Sequence, residues 1–413
     1  MTDDFAGTVT ITDIQAARDR IRDGIALTPC PLSAPLSEAT GCEIYCKLEF
    51  LQRTGSFKER GARNALLLLN DGQRKKGVTA ASAGNHALAL AHHGSSLGIP
   101  VTVVMPTYAP LIKQTNCRRL GAKVIVQGSS FAEAKQIADD LVQSEGLTYI
   151  HGYDDPGVIA GAGTLGLEVL EQVPDADAVI VPLGGGGLAA GVSLAVKSLR
   201  PAVQVIGVQA ANATAFSAAF SAEKPVEVTT QPTLADGLAV SRAGELAIQI
   251  ARPRLDRIVT ASEAELALAV VRLMELEKSV VEGAGAASLA AVLSGKLPEL
   301  AGKKVVLLLC GGNIDLTILA RLIDAALVAD GRLARFTAEI SDRPGGLAAF
   351  AELLKELGAS VQDIVHDRTF CGPNVAAVNV LCTVETRDAA HLAQLYERLT
   401  AAGIRHFAHA GRE

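Results

Sequence analysis

Ala178-Val-Ile-Val-Pro-Leu-Gly-Gly-Gly-Gly-Leu188 decides what kind of protein this is. With the run continuing to Val196, it is apolar enough to span a bilayer, but it contains Pro182 and four consecutive glycines. A spanning helix cannot keep its backbone hydrogen bonds through such a break. A buried strand, a glycine turn and a helix explain the same residues. In that reading Gly184, Gly185, Gly186, Gly187 and Leu188 form a loop of free backbone amides at a helix start, a cradle for phosphate. A dinucleotide is the competing ligand. Gly185, Gly187 and Ala190 satisfy G-x-G-x-x-A, yet the next strand ends in Gln209, where an acid for a ribose hydroxyl is expected. A small phosphorylated cofactor is the stronger reading.

The same strand–loop–helix rhythm runs outward in both directions. Upstream, strands are predicted at Glu43 to Leu48, Gly77 to Ala81, Pro100 to Met105 and Lys123 to Gln127, each followed by a helical pattern. Downstream, Tyr149-Ile150, Val203 to Val208, Arg257 to Thr260 and Val305 to Leu309 alternate with helices in the same way. The fold class is therefore α/β, with parallel-rich sheets flanked by helices in two lobes and a cleft at the carboxyl ends of the strands. Beyond Ala329 the order changes to βαββαβ, a ferredoxin-like arrangement over residues 334–413. It has strands at Ala334 to Ile340, Ser360 to His366, Asn374 to Glu385 and Ile404 to Ala408.

The 413 residues suffice for two or three domains. A net charge of -6 gives no electrostatic footprint for nucleic acid or an anionic membrane. Seven scattered cysteines, at 30, 42, 46, 117, 310, 371 and 382, contain no C-x-x-C pair, so reduced thiols in the cytoplasm are expected and no metal is indicated. Asp3 and Asp4 interrupt any apolar core of a signal peptide.

Three further loops share the design of the glycine turn. In Arg53 to Ala62, Ser56 and Glu59 have capping-box spacing, so a helix is predicted from Phe57, with Lys58 in its first turn. An ammonium there opposes the helix dipole, which favours a neutral, nucleophilic amine; a solvated lysine on an amphipathic helix is the plainer explanation. Ser82-Ala-Gly-Asn-His86 follows a strand and opens a helix, offering N–H groups to a carboxylate, unless Asn85 is simply a cap in an ordinary turn. Cys310-Gly-Gly-Asn313 ends a strand, and its cysteine is by default a small buried hydrophobe.

Taken together, Ser56-Phe-Lys-Glu-Arg-Gly-Ala62, Ser82 to His86, Gly184 to Leu188 and Cys310 to Asn313 resemble the pyridoxal-phosphate enzymes of the tryptophan synthase β fold (fold type II), specifically the threonine/serine dehydratases. The resemblance covers roughly residues 10–325. Residues 334–413, with Asp342-Arg-Pro-Gly-Gly-Leu347, resemble a regulatory ACT domain. It implies a catalytic domain over 1–328 (small lobe about 45–150), a linker at 329–333 and an ACT domain over 334–413.

The resemblance implies pyridoxal 5'-phosphate as cofactor and Lys58 as its Schiff-base lysine and α-proton base, with Phe57 packed beside it. Asn85 would lie on the ring's 3-hydroxyl, while Ser82, Ala83, Gly84, Asn85 and His86 take the substrate carboxylate. Gly184, Gly185, Gly186, Gly187 and Leu188 would hold the phosphate, and Cys310 would face the pyridine nitrogen. A thiol is a poor acid there, which suits β-elimination. The implied reaction is that of a carbon–nitrogen lyase, L-threonine to 2-oxobutanoate and ammonia, with L-serine as a side substrate. Partners implied are a small amino-acid substrate, an isoleucine or valine effector at the ACT domain, and further copies of the chain in a dimer or tetramer.

Serine racemase is the nearest rival. It uses a serine where this chain has Ala83, and a divalent-cation acid where this chain runs Gln209-Ala-Ala-Asn-Ala-Thr-Ala215. A cysteine-synthase-like β-replacement enzyme would share Lys58 and the glycine loop but would need a second nucleophile as substrate. A non-catalytic amino-acid sensor would be expected to lose the lysine or the cradle, and this chain keeps both.

Overall fold

The computed structural model describes residues 9–367 and 376–409. Asp3, Asp4, Cys371 and the predicted strand start at Asn374 lie outside the described residues. By contact the chain divides into two units, 1–314 and 315–413.

Among the described residues, ten strands belong to the first unit: β1 (Leu32–Ser33), β2 (Glu43–Lys47), β3 (Val78–Ala81), β4 (Val101–Met105), β5 (Lys123–Val126), β6 (Thr148–Tyr149), β7 (Ala178–Pro182), β8 (Gln204–Ala210), β9 (Arg257–Ala261) and β10 (Lys304–Leu308). They form a six-stranded sheet in the order β1-β2-β10-β7-β8-β9 and a four-stranded sheet in the order β5-β4-β3-β6. Apart from the β1–β2 pair, every pairing is parallel. β7 is buried at every position, as its unbroken apolar sequence requires of a strand covered on both faces. The predicted alternation is thus observed. One strand moves: β2 pairs with β10 in the larger sheet, so the smaller lobe's sheet begins at Val78 rather than near residue 45.

Helix starts follow side-chain chemistry. Asp155 caps Pro156–Gln172 by accepting from Val158 N at 2.9 Å, with proline at the first helical position. Ser262 and Glu265 form a reciprocal capping box on Glu263–Glu277. The box predicted at Ser56 does not form. Phe57 is the N-cap residue, the helix is Lys58–Leu68, and the Glu59 carboxylate turns instead to Thr54 N. Ser56 is drawn away because it bridges to Gly311, with Phe57 N donating to Cys310 O at 3.0 Å. Long-range pairing has outcompeted a local cap, and Ser56 Oγ is left buried without a protein partner.

The second unit opens with the helix Leu316–Ala329, which by sequence alone falls with the first. Then come β11 (Leu333–Ser341), a helix Gly346–Leu357, β12 (Ser360–Asp367), β13 (Ala377–Glu385), a helix Ala389–Ala401 and β14 (Arg405–His409). The sheet order β12-β13-β11-β14, antiparallel throughout, is that of a ferredoxin-like βαββαβ fold. Phe336, Phe350, Leu354, Val380, Leu395 and Leu399 fill its core. Among the described residues no helix is long and apolar enough to cross a membrane.

Candidate active site

In the first unit the carboxyl ends of β3, β7 and β10 open onto one cavity of about 500 Å³, a volume typical of small-molecule sites. All thirteen residues singled out in the sequence line it: Phe57, Lys58, Ser82, Ala83, Gly84, Asn85, His86, Gly184, Gly185, Gly186, Gly187, Leu188 and Cys310. The four loops are brought together by strand order, since β10 lies between β2 and β7 and carries Cys310 beside the start of the Lys58 helix.

Lys58 Nζ donates to Gly152 O at 2.5 Å and stands 5.3 Å from the centre of the Phe57 ring. Burial lowers its pKa to about 8, against the opposing pull of Cys310 and Glu282. The neutral amine expected from the helix dipole is therefore favoured mainly by desolvation. Burial, with the charges of Glu49 and Glu282, pushes the Cys310 thiol well above its ordinary range. It is a neutral group at the end of β10.

The glycine loop has no room for side chains. A Cβ on Gly185 would lie 2.4 Å from the Tyr153 ring, and one on Gly187 would lie 2.4 Å from Tyr153 O. Gly186 has φ +99°, a conformation that glycine adopts without strain. The helix Gly187–Leu199 starts here, so its first N–H groups face the cavity end of the turn. The asparagine loop differs. Gly84 has an extended backbone and open space around its Cβ position, and Asn85 is the first residue of the helix Asn85–Leu97, with Gly84 rather than Asn85 at the cap. His86 donates through Nε2 to Ile150 O at 3.0 Å, and its Nδ1 is buried without a protein partner. Burial and the nearby Lys58 push its pKa down to about 3, so this imidazole is neutral.

Several lining residues carry no motif of their own. Glu282, 6% exposed, accepts from Asn85 Nδ2 at 2.7 Å. Asn313 donates to Asn85 Oδ1 at 2.8 Å and to Thr54 O at 2.7 Å. His151 accepts through Nδ1 from the N–H groups of Tyr153 and Asp154 and packs edge-on against the Tyr153 ring. Lys113 and Asp236 form an ion pair at 2.9 Å. Glu282 does leave a signal in the sequence, as the single charged residue in the run Val280 to Leu293. Asn313 closes the Cys310 loop, where its spacing assigns it no role. Gln209, where a dinucleotide site would need a ribose-binding acid, is buried and bonded to Ala213 O and Ser217.

Comparison with known proteins agrees with this geometry. A family described as "Pyridoxal-phosphate dependent enzyme" matches residues 21–311. Over 395 residues the chain is 43% identical to an L-threonine ammonia-lyase of Thermotoga maritima, covering 96% of this chain and 98% of the relative. Among solved structures, the processed form of threonine deaminase isoform 2 from Solanum lycopersicum aligns with a TM-score of 0.73 at 34% identity, covering 76% of this chain and 92% of that one. Maize serine racemase also aligns at 0.73, with 32% identity over 76% of this chain and 97% of that one.

Proposed function

The chain belongs to the pyridoxal-phosphate dependent enzymes, alongside the threonine ammonia-lyases, and from that premise we propose that it converts L-threonine to 2-oxobutanoate and ammonia by eliminating the β-hydroxyl as water. The cofactor is pyridoxal 5'-phosphate. The cavity fits it: Gly184 to Gly187 leave a space that side chains would fill, the Lys58 amine is poised near neutrality, and the Cys310 thiol stays protonated. The observation that carries the reading is the convergence of four separate loops on this one cavity.

When bound, the cofactor supplies an electron-withdrawing ring that stabilises negative charge at the substrate's α-carbon. The residues divide the remaining work. Lys58 would hold the cofactor, and its amine, kept near neutrality by burial, would take the α-proton. Gly184 to Gly187 and Leu188 hold the phosphate by backbone N–H groups. Ser82 to His86 would bind the substrate carboxylate at the start of the helix Asn85–Leu97, and Asn85 would also take the cofactor's 3-hydroxyl. Phe57 would pack beside the cofactor, and Cys310 would meet its pyridine nitrogen as a neutral thiol. Racemisation needs a second proton donor on the far face, and the methyl group of Ala83 supplies none.

L-Serine is a side substrate in this reading. Lys58→Ala lowers 2-oxobutanoate production by about 10²–10⁴-fold or more and abolishes the absorbance of the imine that the lysine forms with the cofactor. A yellow, active variant overturns the assignment.

Residues 334–413 are read as an ACT domain joined by residues 329–333 to a catalytic part over 1–328. The βαββαβ order and the turn at Asp342 support this. It would bind isoleucine or valine and modulate the catalytic part, in isoleucine synthesis or threonine breakdown. The edge strand β12 exposes Val361, Ile364 and Val365, which supports assembly of the chain into a dimer or tetramer. The six described cysteines are all free thiols, which supports a cytoplasmic setting. Deleting residues 334–413 removes the response of the threonine kinetics to isoleucine and valine. Unchanged responses sink the regulatory reading.

A further inference from the structure

Behind Asn85 two polar residues, Glu282 and Asn313, grip its amide from either side. The Glu282 carboxylate accepts from Asn85 Nδ2 at 2.7 Å. Asn313 Nδ2 donates to Asn85 Oδ1 at 2.8 Å and is itself pinned to Thr54 O at 2.7 Å. Glu282 is in the N-cap position of the helix Gly283–Leu293, yet its side chain makes no capping bond; it is turned to Asn85 instead. Its backbone N–H donates to Gly311 O at 3.0 Å, and a Cβ on Gly311 would lie 2.2 Å from Glu282 Oε1. Both the strand end and the helix start are shaped around this carboxyl group.

These two bonds dictate which way the Asn85 amide points. An ionised carboxylate can only accept, and the Asn313 amide N–H can only donate, so the Asn85 nitrogen must face Glu282 and its oxygen Asn313. That leaves one Asn85 N–H as the amide's remaining donor. A proton on Glu282 removes that side of the compulsion, because a carboxylic acid can donate to an amide oxygen, and leaves Asn313 alone to hold the amide.

We propose that Glu282 is a positioning residue for the cofactor ring, holding the Asn85 amide as a carboxylate so that its free N–H donates to the ring's 3-oxygen, and loosening that hold when protonated. The proposal rests on the reading that Asn85 binds that oxygen. Four titratable groups act with Glu282: Asp236 on the segment Asp236–Leu238, Lys113 on the helix Leu111–Arg119, Lys58 and Cys310. Burial and then the Asp236 charge raise the Glu282 pKa to about 7, with Lys113 and the Asn85 bond opposing them. Both forms are populated at neutral pH.

The test is a pH titration, from about 6 to 8.5, of the visible spectrum of the full-length protein loaded with pyridoxal phosphate, for wild type, Glu282→Gln and Asn313→Ala. The glutamine keeps the shape but can donate or accept, so it imposes no orientation from its side. In the wild type the cofactor band changes with a midpoint near neutrality. In Glu282→Gln it is flat over that range, cofactor binds about tenfold more weakly, and kcat falls while KM for threonine changes little. Asn313→Ala, which loosens the other side of the amide, weakens cofactor binding but retains a titration. A Glu282→Gln protein that titrates and binds cofactor as the wild type does overturns the proposal and leaves the enzyme assignment standing. A wild-type protein that forms no visible band with pyridoxal phosphate overturns both.

Discussion

Glu49 and Glu282 are both buried carboxyl groups in the same α/β unit, and their surroundings drive them in opposite directions. Glu49 has a cation buried with it. Arg60 reaches it through Nε at 2.7 Å and Nη2 at 2.8 Å, and Thr28 adds a hydroxyl donor at 2.5 Å. The same guanidinium forks onto Glu168 at 2.7 Å, and Lys47 completes the cluster with a 2.6 Å bond to Glu168. Burial works to raise the Glu49 pKa, but Arg60, Thr28 and Lys47 outweigh it and hold the group below its ordinary range. Glu282 has amide donors and a nearby Asp236 but, among the described residues, no cation in contact, so burial prevails and its pKa rises to about 7. Desolvation alone decides little; the charge that accompanies the carboxyl group decides whether it becomes a clasp or a switch.

The largest effect expected from this contrast comes from removing the shared cation. Arg60→Met leaves Glu49 and Glu168 with Lys47 as their remaining cation, and should destabilise the protein by about 3–5 kcal/mol in chemical denaturation. A loss below about 1 kcal/mol would show that the cluster is no clasp. The second effect is one of pH. Glu49, with its pKa depressed, contributes stability that is present above the ordinary value of 4.5 and is lost as pH falls through its folded value. Glu282, raised from 4.5 to about 7, contributes stability that is present below 4.5 and is lost as pH rises through 7. The stability difference between Glu282→Gln and wild type should therefore change in favour of the variant between about pH 5 and 7, by up to about 1.4 kcal/mol per pH unit. Denaturation midpoints at fixed cofactor saturation measure it, and parallel curves would erase the contrast. The smallest effect is that of Thr28→Val, which removes one donor from Glu49 but leaves the Arg60 fork in place. It should cost about 1 kcal/mol. A loss equal to that of Arg60→Met would mean that the hydroxyl, not the guanidinium, dominates.

The two glutamates also mark where sequence reading succeeds and stops. The four loops are legible because their chemistry is local: a strand end, small residues, then a helix start, repeated around Ser56, Ser82, Gly184 and Cys310. The alternation of strands and helices is legible for the same reason. Glu282 is not, because it lies 197 residues from the Asn85 it serves, and a lone acid before a Gly/Ala-rich helix is just as readily a cap. Asn313 shares that fate, at 228 residues from Asn85. Ser56 shows the converse error: its spacing to Glu59 is that of a capping box, yet pairing with the Cys310 strand end takes the serine away. Strand β2 is plain in its own residues but its lobe is not, since a strand's letters do not name its pairing partner.

The position of β10 has a consequence for the order of events at the ribosome. β2 and β7 share no hydrogen bonds with each other; each pairs with β10, which is made last of the six strands in its sheet. From Lys47 to Lys304 the chain is 257 residues longer, roughly 13–50 s of synthesis at about 5–20 residues per second. Throughout that interval β2 waits with its parallel partner unmade, and the Phe57 N–H waits for Cys310 O. The smaller sheet, β3 to β6, is complete by Tyr149 and can form first. The last strand to emerge is thus the one that closes the larger sheet and delivers Cys310 to the pocket, so nascent chains that stop short of Cys310 should hold no assembled site.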